Sequence, residues 1–412
     1  MTDSTRRLVG DFTSLSARDY NINSIRIKPN PHLKNDTGLL YRIFALPFKY
    51  VIPIIPFILK PLARAIILPA INEHKNDKSS INLSIEERRK FKVIRNTIFT
   101  YDGAQLDAIE LATLEQNKNP QEQCYVINFC GNFTMYQNTK HELCQVAEEL
   151  RAVAVGFNYR GVATSSGMPN KTADLVVDGI AVVQDLLDRG VKPEHIVLKS
   201  TSIGAAIATR VAAYFHDENI KINLFNDRSF SSLANVAVGG IRTYKYESGH
   251  RETKTGKLLG YLAKPFIILL LKMLEWEMEA ATAWKRIPEK NKTFIVARSS
   301  KLDRQTNEKV LDDITISHYG SLYSAIKEKL PKNHPRRVQR KANKFTYEIP
   351  PENRDEEKSA EVNYDLHHEP MTKLLSRGRQ RVNAQQFFMN FARQAFSEEE
   401  KNITIANQYK KS

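Results

Sequence analysis

Between Tyr125 and Ser232, short apolar runs of strand length alternate with stretches of helical spacing, and few architectures accept that order. The strand-like runs are Cys124 to Phe129 (CYVINF), Ala152 to Asn158 (AVAVGFN), His195 to Lys199 and Ile222 to Phe225. The helical stretches are Thr139 to Ala152, Lys171 to Leu187 and Ile203 to Phe215. Strands alternating with helices imply βαβ units, and therefore a mostly parallel central sheet with helices on both faces. Right-handed crossovers reduce the possible topologies to a handful. In such sheets chemistry collects in loops at the carboxyl ends of the strands. The expected fold class is α/β.

On the amino side, Phe91 to Leu114 (FKVIRNTIFTYDGAQLDAIELATL) carries two alternating runs about Asp102-Gly103, a strong hairpin signal. On the carboxyl side the alternation breaks from Leu233 to Lys290, and Thr293 to Ala297 resumes as a strand. Inside the break, Tyr261 to Trp276 (YLAKPFIILLLKMLEW) reads as a lid or cap helix, or equally as an ordinary core helix. It is too short to span a bilayer as it stands. These patterns divide the chain into an N-terminal extension over 1–88, a main domain over 89–390 with a cap or lid insertion near 233–290, and a tail over 391–412. With 412 residues, 42% of them hydrophobic, one large core with appendages is affordable.

The extension holds the most apolar segment, 38–70, and no acidic residue occurs from Thr37 to Asn72. Arg42, Lys49, Lys60 and Arg64 leave Tyr50 to Leu59 as the longest uncharged run, about half the ~20 residues a spanning helix needs. Pro47, Pro53, Pro56, Pro61 and Pro69 interrupt it further. Two readings stay open: an interfacial segment whose basic stems reach headgroups, or a proline-rich arm packed on the domain. A net charge of +15 and the acid-free run KNHPRRVQRKANK (Lys332 to Lys344) point to anionic partners, with an anionic membrane surface as the expectation. No aromatic platform or recognition-helix pattern accompanies that run, so no nucleic acid is expected. Three clustered cysteines, Cys124, Cys130 and Cys144, and the lack of a signal-peptide pattern at Met1 to Asp11 fit a reducing, cytoplasmic or peripheral-membrane setting. Oligomeric state is left open.

The candidate chemistry sits in His195 to Ala206, HIVLKSTSIGAA. An apolar strand runs into a small-x-Ser-x-Gly turn and a helix begins at once, which is the setting of a nucleophile elbow with Ser202 at its tip. A plain turn with Ser202 as helix cap is the bland alternative. The glycine-bearing loop Asn128 to Phe133 follows the first strand after the hairpin and brings the N–H of Asn132 opposite that of Ile203, an oxyanion-hole arrangement. No HExxH, paired-cysteine zinc spacing or phosphate-cradling glycine loop occurs, so neither metal nor cofactor is expected.

The order of these features resembles the α/β-hydrolase superfamily, especially its lipase-like branches: a Tyr-Asp-Gly hairpin, a strand ending in Gly-Asn, Asn-Tyr-Arg-Gly-x-x-x-Ser-x-Gly, then Ser-x-Ser-x-Gly. The resemblance covers roughly 91–297, about half the chain. LKSTSIGAAIA and NDRSFSSLANVA are also similar to SidB-type lipase-like effectors of intracellular bacteria, which implies delivery into a host cell without a Sec signal. Carried over, Ser202 is the nucleophile, Asp303 the acid, with Asp227 and Asp312 behind it, and His367 the base. His368 is its near alternative, His318 and His334 are more distant ones, and Ser200 departs from the glycine usual at its place. What the resemblance implies is a serine ester or thioester hydrolase acting on a lipid or acylated substrate at a membrane. The alternative is a non-catalytic membrane- or protein-binding module on the same scaffold.

Overall fold

The computed structural model describes residues 54–68, 70–74, 77, 81–116, 119–243, 252–299, 313, 315–326, 333, 337–338, 344–347, 367 and 384–409. Eight strands form one sheet among them: β1 (Phe91–Phe99), β2 (Gln105–Thr113), β3 (Tyr125–Phe129), β4 (Val153–Phe157), β5 (Ile196–Thr201), β6 (Asn223–Asp227), β7 (Lys292–Ser299) and β8 (Lys344–Tyr347). Their order is β1-β2-β4-β3-β5-β6-β7-β8. β2 runs antiparallel to both β1 and β4, and every pairing from β4 to β8 is parallel. The β1–β2 hairpin turns at Asp102-Gly103 as expected. Gly103 takes φ +89° and its N–H donates to the Thr100 carbonyl at 3.0 Å, a left-handed turn position that favours glycine.

The helices are α1 (Ile54–Ile67), α2 (Ala70–Glu73), α3 (Ile85–Lys90), α4 (Lys140–Leu150), α5 (Thr172–Asp188), α6 (Ser202–Asp217), α7 (Leu233–Thr243), α8 (Lys254–Met273), α9 (Ala280–Trp284), α10 (Leu322–Ala325) and α11 (Ala384–Tyr409). They divide between the two faces of the sheet, and the strands show why. Side chains alternate across a strand. Tyr125, Ile127 and Phe129 of β3, Val153, Val155 and Phe157 of β4, and Ile196 and Leu198 of β5 enter one core with α5, α6 and α9. Val126, Ala154, Val197, Phe225 and Ile295 enter the other, covered by Leu143, Val146 and Ala147 of α4 and Phe388, Met389 and Ala392 of α11. Each fully buried side chain of this kind contributes roughly 1.5–3 kcal/mol relative to exposure. The expected α/β-hydrolase fold, a mostly parallel sheet with helices on both faces, is the one the chain adopts.

Two expected boundaries move. The break set between 390 and 391 falls inside α11, and Ala392 is core, because the apolar face of AQQFFMNFARQAF continues past it. At the other end Leu68, Ala70 and Ile71 are buried in the core of the main domain, and Leu59, Ala63 and Ile67 of α1 pack against it. Lys60 Nζ donates to Glu275 Oε2 at 2.7 Å and ties this arm to the end of the insertion. The carboxyl part of segment 38–70 is thus a packed arm, with Leu62 and Ile66 turned outward. Residues 38–53 and nearly all of 332–343 lie outside the described residues.

Among the described residues the insertion carries α7, α8 and α9. α9 is core, with Ala280, Ala283 and Trp284 buried, whereas α8 buries only Gly256 and Gly260. Both glycines face α7: a methyl group on Gly260 would come within 2.7 Å of Arg242 Cγ and 3.3 Å of Val238 Cγ1. Trp276, just beyond α8, is fully buried. The apolar stretch from Tyr261 to Trp276 therefore splits between an outward helix and a buried anchor, and is neither a simple core helix nor a simple lid.

Candidate active site

In the strand order, β3 is flanked by β4 on one side and β5 on the other. That is where the order reverses, so the loops after β3 and β5 diverge and leave a crevice at the carboxyl edge. Ser202 stands at this point. Thr201 is still extended (φ −129°, ψ 139°), Ser202 takes φ +56°, and α6 starts with it. A left-handed conformation at a residue with a Cβ costs of order 1–3 kcal/mol and persists only where its surroundings enforce it.

Small neighbours supply that enforcement. A methyl group on Gly204 would overlap the carbonyls of Phe129 and Cys130, so the start of α6 lies directly against the end of β3. One on Gly131 would sit 3.6 Å from Ser202 Cβ. Ser200, which occupies the usual glycine place, is buried and its hydroxyl donates to the Phe225 carbonyl at 2.8 Å. A neighbouring strand thus satisfies the extra oxygen. Beneath the turn, the buried Lys199 ammonium pairs with Glu142 of α4 and lies 5.6 Å from the Phe388 ring centre. This pairing holds the Glu142 carboxyl below its ordinary range.

His367 Nε2 lies 2.7 Å from Ser202 Oγ, and His367 Nδ1 lies 3.0 Å from Asp313 Oδ2. All three residues are buried. A carboxylate only accepts, so Nδ1 carries the proton and Nε2 is left as the acceptor for the Ser202 hydroxyl. The other Asp313 oxygen accepts from the Ile316 N–H at 2.6 Å, a local turn that fixes the carboxylate. The segment from Ile316 to Ser321 is stitched to the chain after β6: Ser231 Oγ donates to the Gly320 carbonyl at 2.9 Å, and the Leu322 N–H to the Ser229 carbonyl at 2.9 Å.

The acid was expected at Asp303, and the carboxylate that meets His367 among the described residues is that of Asp313. Asp303 and Asp312 lie outside the described residues, and it is Asp313 that meets the ring of His367. Its signal in the sequence is the Asp-Asp pair at 312–313, the second member of which stands one residue past the expected Asp312. The reason for the miss is geometric, because a long connection after β7 lets the acid sit well past the strand end.

Asp227 is at the end of β6, but its oxygens accept from Arg228 at 2.9 and 2.8 Å. Burial works against the Arg228 charge, yet the carboxylates of Asp227, Asp313 and Glu142 outweigh it and hold its pKa above the ordinary value. Arg228 therefore adds positive potential beside Asp313. His318 is exposed, its ring centre 6.0 Å from that of Tyr323, and His334 and His368 lie outside the described residues.

Ile203 follows Ser202 directly, and Gly131 brings its loop close to Ser202 Cβ. The Ile203 N–H belongs to the first turn of α6, where no intrahelical acceptor exists and the helix dipole is positive. Asn132 is in the loop after Gly131, where its side chain accepts from the Phe133 N–H at 3.1 Å and Phe133 takes φ +60°. His74, beyond α2, places Nε2 3.1 Å from the Phe133 carbonyl, so the N-terminal arm braces this loop. Sequence reasoning had no signal for that brace. Among the described residues no group of three or more His, Cys, Asp or Glu is arranged to hold a metal.

No family model and no curated protein sequence matches this chain. Solved structures similar to it include an esterase of Pyrococcus furiosus, 15% identical over 54% of this chain and 76% of that one, with a TM-score of 0.37. An acetyl xylan esterase from Paenibacillus sp. R4 is 11% identical over 56% and 77%, with a TM-score of 0.40. An α/β hydrolase from Vibrio vulnificus is 13% identical over 58% and 77%, with a TM-score of 0.38. Superpositions at these scores add nothing to the strand order, on which the fold assignment rests.

Proposed function

We propose that this chain is a serine hydrolase that cleaves a carboxylic ester or thioester through an acyl-enzyme, acting on a lipid or acylated substrate at a membrane surface. The observation that carries the reading is the hydrogen-bonded chain from Ser202 Oγ through His367 to Asp313, at 2.7 and 3.0 Å, with Ser202 held at φ +56°. A helix-capping serine would need neither the left-handed backbone nor an imidazole within bonding distance.

His367 Nε2 takes the Ser202 proton as Oγ attacks the substrate carbonyl carbon, and the carbonyl electron pair moves onto oxygen. The N–H groups of Ile203 and Asn132 receive that oxyanion. When the carbonyl re-forms, the bond to the alcohol or thiol breaks and His367 returns its proton to the leaving group. Water then repeats the cycle: His367 takes one of its protons, hydroxide adds to the acyl carbon, and Ser202 leaves with the proton restored. Asp313 keeps Nδ1 protonated and stabilises the imidazolium formed in each half. The SidB-type likeness of LKSTSIGAAIA fits the same reading.

The test is labelling with a fluorophosphonate probe, which reacts with an activated serine. Wild type is expected to label and Ser202→Ala not to. An unlabelled wild type of native circular dichroism would leave only a binding module on a hydrolase scaffold.

A further inference from the structure

We infer that the outward face of α8 docks on an anionic phospholipid surface; this deepens the proposed membrane setting and depends on the hydrolase reading only for the site it would serve. A helix on the surface of a soluble domain normally turns its polar side to water. α8 does the reverse. Leu258, Tyr261, Leu262, Pro265, Phe266 and Leu270 recur at three- and four-residue spacing, hence on one side of the helix. That side is exposed, with Leu258 60%, Tyr261 75% and Phe266 73% accessible. The opposite side carries the glycine seam against α7.

Charge chooses the occupant. α8 contains lysines at 254, 257, 264 and 272 and no acidic residue, and α1 likewise carries Lys60 and Arg64 with no acidic residue. Lys257, Lys272 and Lys60 pair with Glu252, Glu279 and Glu275, so cations outnumber acids around the stripe and the exposed Lys254 stands at its amino end. An apolar stripe with such a cationic excess is the composition of helices that lie in an anionic lipid interface, with the rings at acyl depth and ammonium groups among headgroups. A protein partner would call for several polar groups to pair on the face itself, and of the six stripe residues only Tyr261 carries one. Nor does any helix among the described residues have the length and apolarity to cross a membrane, so the contact is with one leaflet.

The face is also fixed to the candidate site. Arg242 of α7 stacks on Tyr319 at 4.1 Å, Lys264 of α8 donates to the Tyr319 hydroxyl at 3.0 Å, and a methyl group on Gly239 would overlap the Ser317 hydroxyl. Tyr319 and Ser317 lie in the loop that begins at Asp313. A bilayer seated on α8 would therefore meet the domain beside the element that presents the acid.

The full chain is sedimented with vesicles of phosphatidylcholine, alone and mixed with phosphatidylserine, and labelled in parallel with the fluorophosphonate probe in vesicle-free buffer. Wild type is expected to sediment with the mixed vesicles. Leu262→Glu/Phe266→Glu should weaken that binding at least about tenfold, and Lys254→Glu by roughly fivefold or more on the anionic vesicles alone. Labelling should stay unchanged in each variant. Should the double variant lose labelling, Phe266→Ser at the single position gives the reading instead. The inference is overturned if wild type ignores both vesicles, if the α8 variants bind as well as wild type, or if gel filtration shows a dimer that Phe266→Glu converts to a monomer. Vesicle binding without probe labelling would sink the hydrolase reading and leave the docking face standing.

Discussion

α6 and α8 are both apolar helices, of 16 and 20 residues, and the fold uses them in opposite ways. From Ser202 to Phe215 every residue of α6 is buried, whereas in α8 only Gly256 and Gly260 are. The difference lies in side-chain size and in place along the chain rather than in hydrophobicity. α6 follows the central strand β5 directly, and its Gly204, Ala205, Ala206, Ala208, Ala212 and Ala213 let it lie close to the sheet while Ile203, Ile207 and Val211 fill the gaps. α8 falls where the strand–helix alternation is broken. It has one narrow glycine seam for α7, and Leu271 packs against the core while Leu258, Tyr261, Leu262, Phe266 and Leu270 stay exposed.

The sharpest way to break the comparison is at the amino end of α6. If that end is built for chemistry, Asp313→Asn should leave the fold intact and lower ester turnover by about 10³- to 10⁴-fold, because an amide cannot hold His367 in the tautomer that accepts from Ser202. Steady-state kinetics with a short-chain ester measures it. A loss of less than tenfold would mean that the imidazole is oriented by something else. No residue of α8 should approach that effect on a water-soluble ester.

Next in size is a matched pair of glycine substitutions. At Gly204 an added methyl meets backbone carbonyls of β3, which cannot swing aside, so Gly204→Ala should cost about 2–4 kcal/mol in urea unfolding. At Gly260 it meets side-chain atoms instead, the Arg242 stem and a Val238 methyl, which can give by small shifts, and Gly260→Ala should cost less, about 1–2 kcal/mol. Equal costs would erase the distinction between a helix wedged on the sheet and one leaning on a neighbour.

These two elements also mark how far the sequence could be read. The sheet, its helices and the turn at Ser202 were legible because each depends on short-range pattern: strand-length apolar runs, helical spacing, and small residues flanking one serine. His367 was legible through the family likeness, which carries the base to that place. Asp313 was not, because the acid is chosen by which loop returns to the imidazole, and that is settled by long-range stitching of Gly320 to Ser231 and Leu322 to Ser229. The orientation of α8 was equally hidden. Its composition suits a core helix, and only the glycines at 256 and 260 hinted that one narrow strip of it would be covered.

A smaller effect probes the charge buried under the elbow. Lys199 holds the Glu142 carboxyl below its ordinary value near 4.5. A depressed folded pKa adds stability that is present above the unfolded value and lost as pH falls through the folded one. Wild type should therefore lose stability as pH drops below about 4.5 partly through this pair, and Lys199→Met should flatten that part of the slope in urea midpoints measured against pH. An unchanged slope would mean that other carboxylates carry the acid sensitivity.

The smallest expected effect is the most informative about α8. Phe266 is 73% exposed, so removing its ring in Phe266→Ser takes little packing from the folded state, and the urea midpoint should correspond to a change within about 0.5 kcal/mol. Val211 of α6 is fully buried and of smaller volume, yet Val211→Ser strips its methyls from the core and brings a hydroxyl into it, for a loss of about 2–3 kcal/mol. If Phe266→Ser instead matched Val211→Ser, the outward face of α8 would have to be covered in the folded protein in solution, by another part of this chain or by a second copy. A near-zero value has the opposite meaning: an aromatic ring kept in water, at no gain to the fold, on a helix whose charges are all positive.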